Sequence, residues 1–341
     1  MIYFRADGNS IIGTGHIMRC LSIADVFKKR GEQVGFILAD GSLNRLIEDR
    51  GYETIVLDTN HEDMSDEISK MTELISIYRP QFLFIDSYYV TKEYLTTLKR
   101  LVKTVYIDDL ATFAYPVDIL INYNIYAEDI DYDTIYEKEN VPLPKLLIGL
   151  KYVPLREEFA NIEKRYVPEK CSNVLISTGG ADPIHLALKL AEYVSQNCNE
   201  ELTYHFLVGA ANTDKEKIES IADSASNIMI HYNVKNMKEL ICSCDIAVSA
   251  AGSTLYEICA CGVPIITYVL ADNQIKGARA FEAKGLAVNC GDIREYNSPE
   301  KIIFESINVL AEKSKQRQDM CTNIGHVVTG FGAEIIADML M

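Results

Sequence analysis

The chain has 341 residues, of which 48% are hydrophobic, and it carries a formal net charge of −16. This length is that of about two average domains, and the hydrophobic content is sufficient for two full-sized cores. The negative charge disfavours nucleic acids and anionic membranes as partners, because both would be repelled. An anionic ligand must then be held by local backbone dipoles and a few cations.

Nine cysteines are scattered along the chain, an odd number that is typical of a reduced cytoplasmic protein. The pairs Cys242-x-Cys244 and Cys259-x-Cys261 lack the usual C-x-x-C spacing of zinc ligands, so we predict buried thiols there. The N-terminal residues do not read as a signal peptide, and no apolar run approaches the roughly 18 residues of a membrane span. We therefore expect a cytoplasmic protein with no membrane partner, no metal and no other cofactor.

The first elements along the chain predict a strand, a glycine loop and a helix. An apolar run at 2–4 precedes the loop, and apolar residues at helical spacing follow it over 17–27. Gly13 and Gly15 allow positive φ angles and a close approach of a ligand, while the free N–H groups of the helix start attract anions. His16 falls in the first turn, where the helix dipole disfavours imidazolium and so favours a neutral general base. A capping or packing histidine fits the same pattern.

The run from Arg5 to Ala24 resembles the N-terminal signature of the nucleotide-sugar hydrolases of pseudaminic acid biosynthesis and their spore-coat-polysaccharide relatives. In that family the histidine of the G-x-G-H element is the proposed catalytic base, so the resemblance implies that role for His16. We expect the neighbouring residues of the run to contact the substrate, namely Arg5, Asp7, Gly13, Thr14 and Gly15.

The rest of the first half alternates short apolar runs with amphipathic patterns such as 62–78 and 91–102, which predicts a parallel sheet covered by helices. Ligands bind such sheets at the carboxyl ends of the strands. Polar residues follow the apolar runs at Asp7, Asp86, Ser87, Tyr88, Asp108, Asp109, Asn122 and Asn124. Each also fits a turn or a helix cap. We expect Asp86 and Tyr88 to contact the substrate, and either Asp7 or Asp86 to orient the imidazole of His16.

The segment 126–141 is acidic, rich in tyrosine and without a clear period, so we predict a surface excursion. Its Asp131-x-Asp133 has the shape of a metal-binding D-x-D, but the polar setting favours plain loop residues. The following G-x-x-Y-x-x-L-R-x-E-F pattern also matches the hydrolase family. Within it, Arg156 fits either a cation for the substrate or an ion pair with Glu157 or Glu158.

The second half again begins with a strand, a glycine turn and a helical run, at 173–177, 178–182 and 184–195. Gly179 and Gly180 fit a second cradle for an anionic group. The turn lacks the G-x-x-x-x-G-K-[ST] of a P-loop and the G-x-G-x-x-G of a dinucleotide site. The next strand, 203–208, ends at Gly209, where we expect contact with a nucleotide base.

The strongest pattern of this half is the strand from Ile246 that meets Gly252, Ser253 and Thr254 at a helix start. Backbone N–H groups and two hydroxyls converge there, which suits a diphosphate, and Glu257 one turn later can accept both ribose hydroxyls. A plain N-cap is the alternative. The element resembles the nucleotide-sugar site of GT-B glycosyltransferases, including the peptidoglycan N-acetylglucosaminyltransferase.

Two further elements are compared with the hydrolase family. The resemblance places Asn273 and Gln274 close to the sugar and the diphosphate, although a solvated turn also fits them. Gly330-Phe331-Gly332 lies where the family has Asp-Gly-x-Gly, but the aspartate is absent at that spacing.

These patterns together predict an α/β protein of the GT-B type, with two Rossmann-like parallel-sheet domains and an interdomain cleft. The first domain, 1–155, carries His16, and the second, 156–341, binds UDP, with the last helix packing back on the first domain. The resemblance implies hydrolysis of a UDP-linked diacetamido-trideoxy sugar with inversion at C1. An inverting UDP-sugar glycosyltransferase and a non-catalytic sugar-nucleotide-binding protein remain as alternatives.

Overall fold

The computed structural model describes residues 1–9, 12–163, 165–180, 182–197, 201–209, 211–325 and 327–341. Five residues from the segments analysed above lie outside the described residues. They are Ser10 and Ile11 of the first glycine loop, Ala181 and Ala210 of two later loops, and Cys198, one of the nine cysteines. The chain forms two compact units: unit 1 contains Met1–Arg156 and Phe331–Met341, and unit 2 contains Glu157–Gly330.

Unit 1 is built on a seven-stranded sheet. Its strands are β1 (Ile2–Ala6), β2 (Val34–Leu38), β3 (Glu53–Val56), β4 (Phe82–Asp86), β5 (Lys103–Ile107), β6 (Ile119–Asn122) and β7 (Lys145–Ile148). The helices between them are α1 (Gly15–Lys29), α2 (Asn44–Glu48), α3 (Ile68–Tyr78), α4 (Lys92–Lys99) and α5 (Tyr132–Glu139). The strand order is β3-β2-β1-β4-β5-β6-β7, and all neighbouring pairs are parallel.

The centre of this sheet is mostly apolar because a parallel sheet is covered on both faces, and the buried Arg5 of β1 is a charged exception. Strands β1 and β4 are buried along their whole length. Phe4 of β1 stacks between Phe36 of β2 and Phe84 of β4, with ring centroids 5.2 and 4.5 Å away. These strands therefore hold the residues at their carboxyl ends in fixed positions.

The prediction of a surface excursion at 126–141 is wrong. The segment contains helix α5, and the rings of Tyr132 and Tyr136 are buried beneath it. Its acidic residues face outward. They made the segment look polar in the sequence, although the tyrosines supply an apolar face. Asp131 caps α5 by accepting a hydrogen bond from the N–H of Thr134, so it has the plain structural role that we predicted for it.

Unit 2 is built on a six-stranded parallel sheet. Its strands are β8 (Asn173–Ser177), β9 (Thr203–Leu207), β10 (Ile228–His231), β11 (Ile246–Ala250), β12 (Ile265–Val269) and β13 (Ala287–Asp292). Its helices are α6 (Leu186–Asn197), α7 (Lys215–Ser224), α8 (Met237–Cys242), α9 (Ser253–Ala260), α10 (Ile275–Ala283), α11 (Pro299–Glu312) and α12 (Ser314–Ile324). The strand order is β10-β9-β8-β11-β12-β13.

The last helix, α13 (Gly332–Leu340), belongs to unit 1 and packs on α1. Arg30 at the end of α1 forms an ion pair with Asp338 at 2.6 Å. A Cβ atom on Gly332 would lie 2.1 Å from the carbonyl oxygen of Val153, so only glycine allows this close backbone contact. Gly332 is therefore required for packing. The comparison with the family's Asp-Gly-x-Gly element did not predict this role.

Three further observations concern only the part of the chain that the structure describes. No helix there combines the length and the apolar character needed to cross a bilayer. No three His, Cys, Asp or Glu side chains are grouped so that they could hold a metal ion. The eight described cysteines are free thiols, and all except the half-buried Cys242 are buried.

Candidate active site

The topology of unit 1 creates a crevice at the carboxyl ends of β1 and β4. From β1 the chain proceeds to β2 and β3 on one side, and from β4 it proceeds to β5, β6 and β7 on the other. The loops that follow β1 and β4 therefore diverge, and ligands of open α/β sheets bind at such a point. The loop after β1 leads to His16, and β4 ends at Asp86.

His16 and Asp86 are in direct contact in this crevice. Nδ1 of His16 lies 2.5 Å from Oδ1 of Asp86, and the histidine is only 7% exposed. We assign a proton to Nδ1 because a nitrogen lone pair and a carboxylate oxygen would repel each other at this distance. In the neutral ring Nε2 then keeps its lone pair and is the acceptor. Asp7, the other candidate for orienting the ring, makes different contacts.

Arg19, one turn after His16 on α1, is a residue of this site that the sequence analysis missed. Its Nε and Nη2 each donate to one oxygen of Asp86, both at 2.5 Å. Burial alone would raise the pKa of Asp86, but the charge of Arg19 and the contact with His16 hold that pKa well below its ordinary value. Asp86 is therefore a permanently charged partner of the imidazole at neutral pH.

The same guanidinium continues the network to the ends of β5 and β6. Nη1 of Arg19 donates to Asp109 at 2.8 Å and to the hydroxyl of Tyr123 at 2.6 Å. Tyr88 donates to Asp109 at 3.0 Å, and its ring meets the His16 ring edge-on with centroids 4.6 Å apart. Burial, together with the charge of Asp109, raises the pKa of Tyr88, so its hydroxyl remains protonated.

A small pocket opens beside this network. It is lined by Asp7, Ile12, His16, His61, Asp86, Ser87, Tyr88 and Tyr89. The structure thus brings together four residues that we expected near the substrate, because Asp7, His16, Asp86 and Tyr88 all contribute to one surface. His61 and Tyr89 were not singled out from the sequence, and His61 follows β3 in a polar loop that shows no periodic signal.

Arg5 requires a correction, because the expected contact with a substrate is not available to it. Its side chain is fully buried, and its Nε and Nη2 donate to the two oxygens of Glu67 at 2.8 and 2.6 Å. Its Nη1 lies 2.6 Å from Asp7. Asp7 also accepts a hydrogen bond from the N–H of Ala39 at 2.8 Å. Arg5 therefore ties β1 to the start of α3 instead of reaching the pocket.

The polar residues at the ends of β5 and β6 form two groups that meet where the side-chain amide of Asn124 donates to Asn122 at 3.0 Å. Asp108 accepts hydrogen bonds from the N–H groups of Leu110 and Ala111 and from Tyr132, which makes it a turn residue. Asn122 donates to Tyr132 at 2.9 Å. Asp109 and Asn124, in contrast, join the network around Arg19, with Asn124 donating to Asp109 at 3.0 Å. Only the second group lies next to the crevice.

The remaining loop residues of unit 1 lie as follows. Gly13 has a φ of +77°, as a glycine in this loop allows, and its N–H donates to the carbonyl of Asn9 at 2.9 Å. Thr14 is exposed at the N-terminus of α1 and makes no capping hydrogen bond with its side chain. Gly15 is the first residue of that helix, and Arg156 is a half-buried residue at the end of the first segment of unit 1.

Unit 2 has a corresponding crevice between β8 and β11, where its own strand order reverses. Gly179, in the loop after β8, has a φ of +88°, and Cβ atoms on Gly179 and Gly180 would meet nothing within 4 Å. Gly209 follows β9, and a Cβ atom there would lie 2.2 Å from the carbonyl oxygen of Gly180. Glycine at 209 is therefore explained by its contact with the backbone of Gly180, while the Cβ positions of 179 and 180 face open space.

The loop after β11 presents hydroxyls at the start of α9. Gly252 is the N-cap, and among the described residues no side chain makes a capping hydrogen bond there, so Ser253 and Thr254 do not form the plain N-cap that was the alternative prediction. Ser253 is exposed, and Glu257 lies one turn further along α9. A helix start with hydroxyl side chains is a suitable place for an anion, because its first N–H groups lie at the positive end of the helix dipole.

Asn273 and Gln274 lie in a 3₁₀ turn that follows β12. Oε1 of Gln274 accepts a hydrogen bond from the N–H of Leu270 at 2.8 Å, which fixes the orientation of the amide. Its Nε2 lies 3.9 Å from the position of a Cβ atom on Gly252. The structure therefore brings this amide to the loop that carries Ser253.

Sequence relatives are found over both halves of the chain. Residues 173–331 match the model of the glycosyltransferase family 28 C-terminal domain. The UDP-2,4-diacetamido-2,4,6-trideoxy-beta-L-altropyranose hydrolase of Campylobacter jejuni is 27% identical over 292 residues, which cover 84% of this chain and 98% of that protein. An uncharacterized protein of Methanocaldococcus jannaschii, MJ1062, is 24% identical over 79% of this chain, and the spore coat polysaccharide biosynthesis protein SpsG of Bacillus subtilis is 25% identical over 48% of it. The chain spans about half the length of these two relatives, 55% and 48%.

Solved structures show the same architecture at low sequence identity. MurG of Acinetobacter baumannii superposes with a TM-score of 0.68 at 15% identity, covering 99% of this chain and 98% of that one. MnaA of S. aureus, solved with UDP, gives a TM-score of 0.67 at 8% identity, covering 99% of this chain and 95% of that one. The chain has the GT-B fold, as predicted. Together with the sequence relatives, this supports a place in the GT-B glycosyltransferase-like superfamily.

Proposed function

We propose that this protein hydrolyses a UDP-linked diacetamido-trideoxy sugar, of the type UDP-2,4-diacetamido-2,4,6-trideoxy-β-L-altropyranose, to UDP and the free sugar in the synthesis of pseudaminic acid-type sugars. The observation that carries the proposal is the contact between His16 and Asp86 at the crevice of unit 1. The likeness to the Campylobacter hydrolase over 98% of its length supports the same substrate class.

The chemistry assigned to unit 1 is general-base catalysis. Nε2 of His16 takes a proton from water while the water oxygen attacks C1 of the sugar, and the C1–O bond breaks with its electron pair going to the departing UDP. Attack from the face opposite UDP inverts the configuration at C1. Asp86 holds the proton on Nδ1 and stabilises the imidazolium that forms, since its carboxylate is charged at neutral pH.

The role assigned to unit 2 is the binding of UDP. The open backbone at Gly179 and Gly180 and the start of α9 provide N–H groups for the diphosphate. Ser253 and Thr254 add hydroxyl donors, and the fixed amide of Gln274 adds another. Such donors stabilise the negative charge that develops on the leaving group. In this proposal Glu257 accepts the ribose hydroxyls, Asn273 and Arg156 bind the sugar or the diphosphate, and Gly209 lies near the base.

The test is UDP release from a panel that includes UDP-2,4-diacetamido-2,4,6-trideoxy-β-L-altropyranose and UDP-N-acetylglucosamine, without an added acceptor. We expect release from the diacetamido sugar and an inverted anomer in the first NMR spectra of the product. His16→Asn keeps an amide donor for Asp86 but has no base, so turnover should fall about 10²- to 10⁴-fold. Binding of the intact sugar nucleotide should be retained.

The matched control is His185→Asn, the same substitution at a histidine of unit 2 that is 53% exposed. The φ of His185 is +58°, a conformation that asparagine tolerates, so the change should preserve the fold. We expect wild-type turnover from this variant. Wild-type turnover from His16→Asn would contradict the proposed mechanism.

A second candidate function is an inverting UDP-sugar glycosyltransferase, in which the same base deprotonates a sugar hydroxyl. The match of 173–331 to a glycosyltransferase family domain favours it. The two reactions differ in their need for an acceptor. UDP release that appears only when an acceptor sugar is supplied would assign the protein to this class.

A further inference from the structure

Arg19 is a cation in a place where a cation is costly. It is 8% exposed, and its neighbours on α1 from Cys20 to Ala24 are buried residues of the core. Burying an unpaired guanidinium carries a large desolvation penalty, so a buried arginine needs partners for its charge and its N–H groups. The hydrogen-bond partners of Arg19 therefore indicate which residues it acts on.

All three nitrogens of Arg19 are engaged by protein groups. Nε and Nη2 form a two-point contact with Asp86, and Nη1 donates to Asp109 and Tyr123. The same Nη2 also lies 3.0 Å from Nδ1 of His16. A guanidinium with these contacts is not available to bind a substrate anion. Its effect must reach the reaction through the residues that it holds.

The charges that face His16 come from several elements, and the two nearest to it, Asp86 and Arg19, have opposite signs. Asp86 from β4 carries a negative charge, Arg19 from α1 carries a positive charge, and Asp109 after β5 carries a second negative charge one contact further away. Burial raises the pKa values of Cys20, Tyr88 and Tyr123, which stay protonated. The other ionisable groups that line the pocket are Asp7, paired with Arg5, and the imidazole of His61.

We propose that Arg19 is a positioning residue that fixes Asp86 in the orientation required by His16 and cancels the charge of that carboxylate at the imidazole. This inference rests on the proposed function. Asp86 alone would orient the ring but would also favour its protonation, which removes the base. With Arg19 in place, Asp86 orients the ring while the guanidinium offsets the charge of the carboxylate.

The test is the double variant Arg19→Gln/Asp109→Asn. It removes one positive and one negative charge together, so the network does not acquire an extra unpaired carboxylate, and Asp86 is left as the charge beside His16. We expect the acid limb of the pH–rate profile for UDP release to move to higher pH by about one unit. The loss of activity is then larger on the acid limb than on the high-pH plateau.

Two single variants separate charge from geometry. Asp109→Asn keeps Arg19 on Asp86, so its acid limb should not move to higher pH. Arg19→Lys keeps the charge but cannot make the two-point contact, so its acid limb should stay near the wild-type position while kcat on the plateau falls. A residue that only stabilised the fold would lower activity equally at every pH.

The titration of the His16 ring in ¹⁵N-labelled protein gives a readout that is independent of turnover, with its signal assigned by comparison with His16→Asn. We expect its midpoint in the double variant to rise by about one pH unit. An unchanged midpoint and an unchanged acid limb would overturn the role of Arg19. If wild-type protein released no UDP from any substrate of the panel, the proposed function would fail, while the NMR midpoint would still decide this inference.

Discussion

The crevices of the two units have the same topology but are lined by different chemical groups. In unit 1 the crevice is surrounded by buried charges that contact one another, with His16, Arg19 and Asp86 at its centre. In unit 2 it is formed by open glycine backbone and by hydroxyls at a helix start, with Ser253 exposed. The difference teaches that one supersecondary pattern can serve two purposes. Charged side chains with fixed geometry suit proton transfer, whereas backbone dipoles suit the binding of a phosphate.

Among the effects on stability, we expect the largest from the substitution Arg5→Met in unit 1. The change leaves Glu67 and Asp7 as buried carboxylates without their cation, so the free energy of unfolding should fall by about 3–5 kcal/mol. Urea unfolding measures it. Arg30→Met is the matched control, because its ion pair with Asp338 is exposed and should be worth at most about 1 kcal/mol. Equal losses in the two variants would refute the structural role of Arg5.

A smaller loss, about 3 kcal/mol at pH 7, is expected from Asp86→Asn, since Arg19 keeps Asp109 as a partner. This loss should depend on pH. The folded-state pKa of Asp86 lies below its unfolded value, so its contribution is complete above a pH of about 4 and is lost as the pH falls further. When both proteins also carry His16→Asn, which removes the titrating imidazole from the pair, urea unfolding at pH 7, 5 and 3 should therefore give a constant difference at the first two values and a narrower one at pH 3. A constant difference down to pH 3 would contradict the assignment.

The smallest effect concerns the glycine loops of unit 2. Gly209→Ala places a Cβ atom against the backbone of Gly180, so the loops must separate, at a cost of roughly 1–3 kcal/mol. Gly180→Ala adds a Cβ atom to open space and should change stability by less than about 0.5 kcal/mol. Thermal unfolding of both variants tests this contrast. A stable Gly209→Ala would show that the glycine is not required for packing.

Local patterns, together with the family resemblance, were sufficient to predict the fold and to reduce the candidate partners of His16 to two residues, Asp7 and Asp86. Each strand of the parallel sheets is a short apolar run followed by a polar residue, and parallel topology places those residues at one edge. The roles of the individual site residues in catalysis and binding stay predictions. The sequence could show which loops lie together at the carboxyl ends of the parallel strands.

Long-range pairing was not accessible in this way. The resemblance placed Arg5 among the substrate contacts, and no local pattern indicated its actual partner, Glu67, which lies 62 residues away. Arg19 was not noticed because it stands in a helix whose spacing is otherwise apolar, and a charged residue on a buried helix face is the signal that should have been followed. The helix at 132–139 was missed because tyrosines supply its apolar face.

The return of α13 to unit 1 determines the order in which the chain can mature on the ribosome. Unit 2, residues 157–330, is continuous in sequence and can condense as soon as it has emerged. The side of α1 that α13 covers stays bare until residues 331–341 have been made, because those residues complete unit 1. Unit 1, which contains the helix with His16, is therefore completed only after the whole of unit 2 has been synthesised.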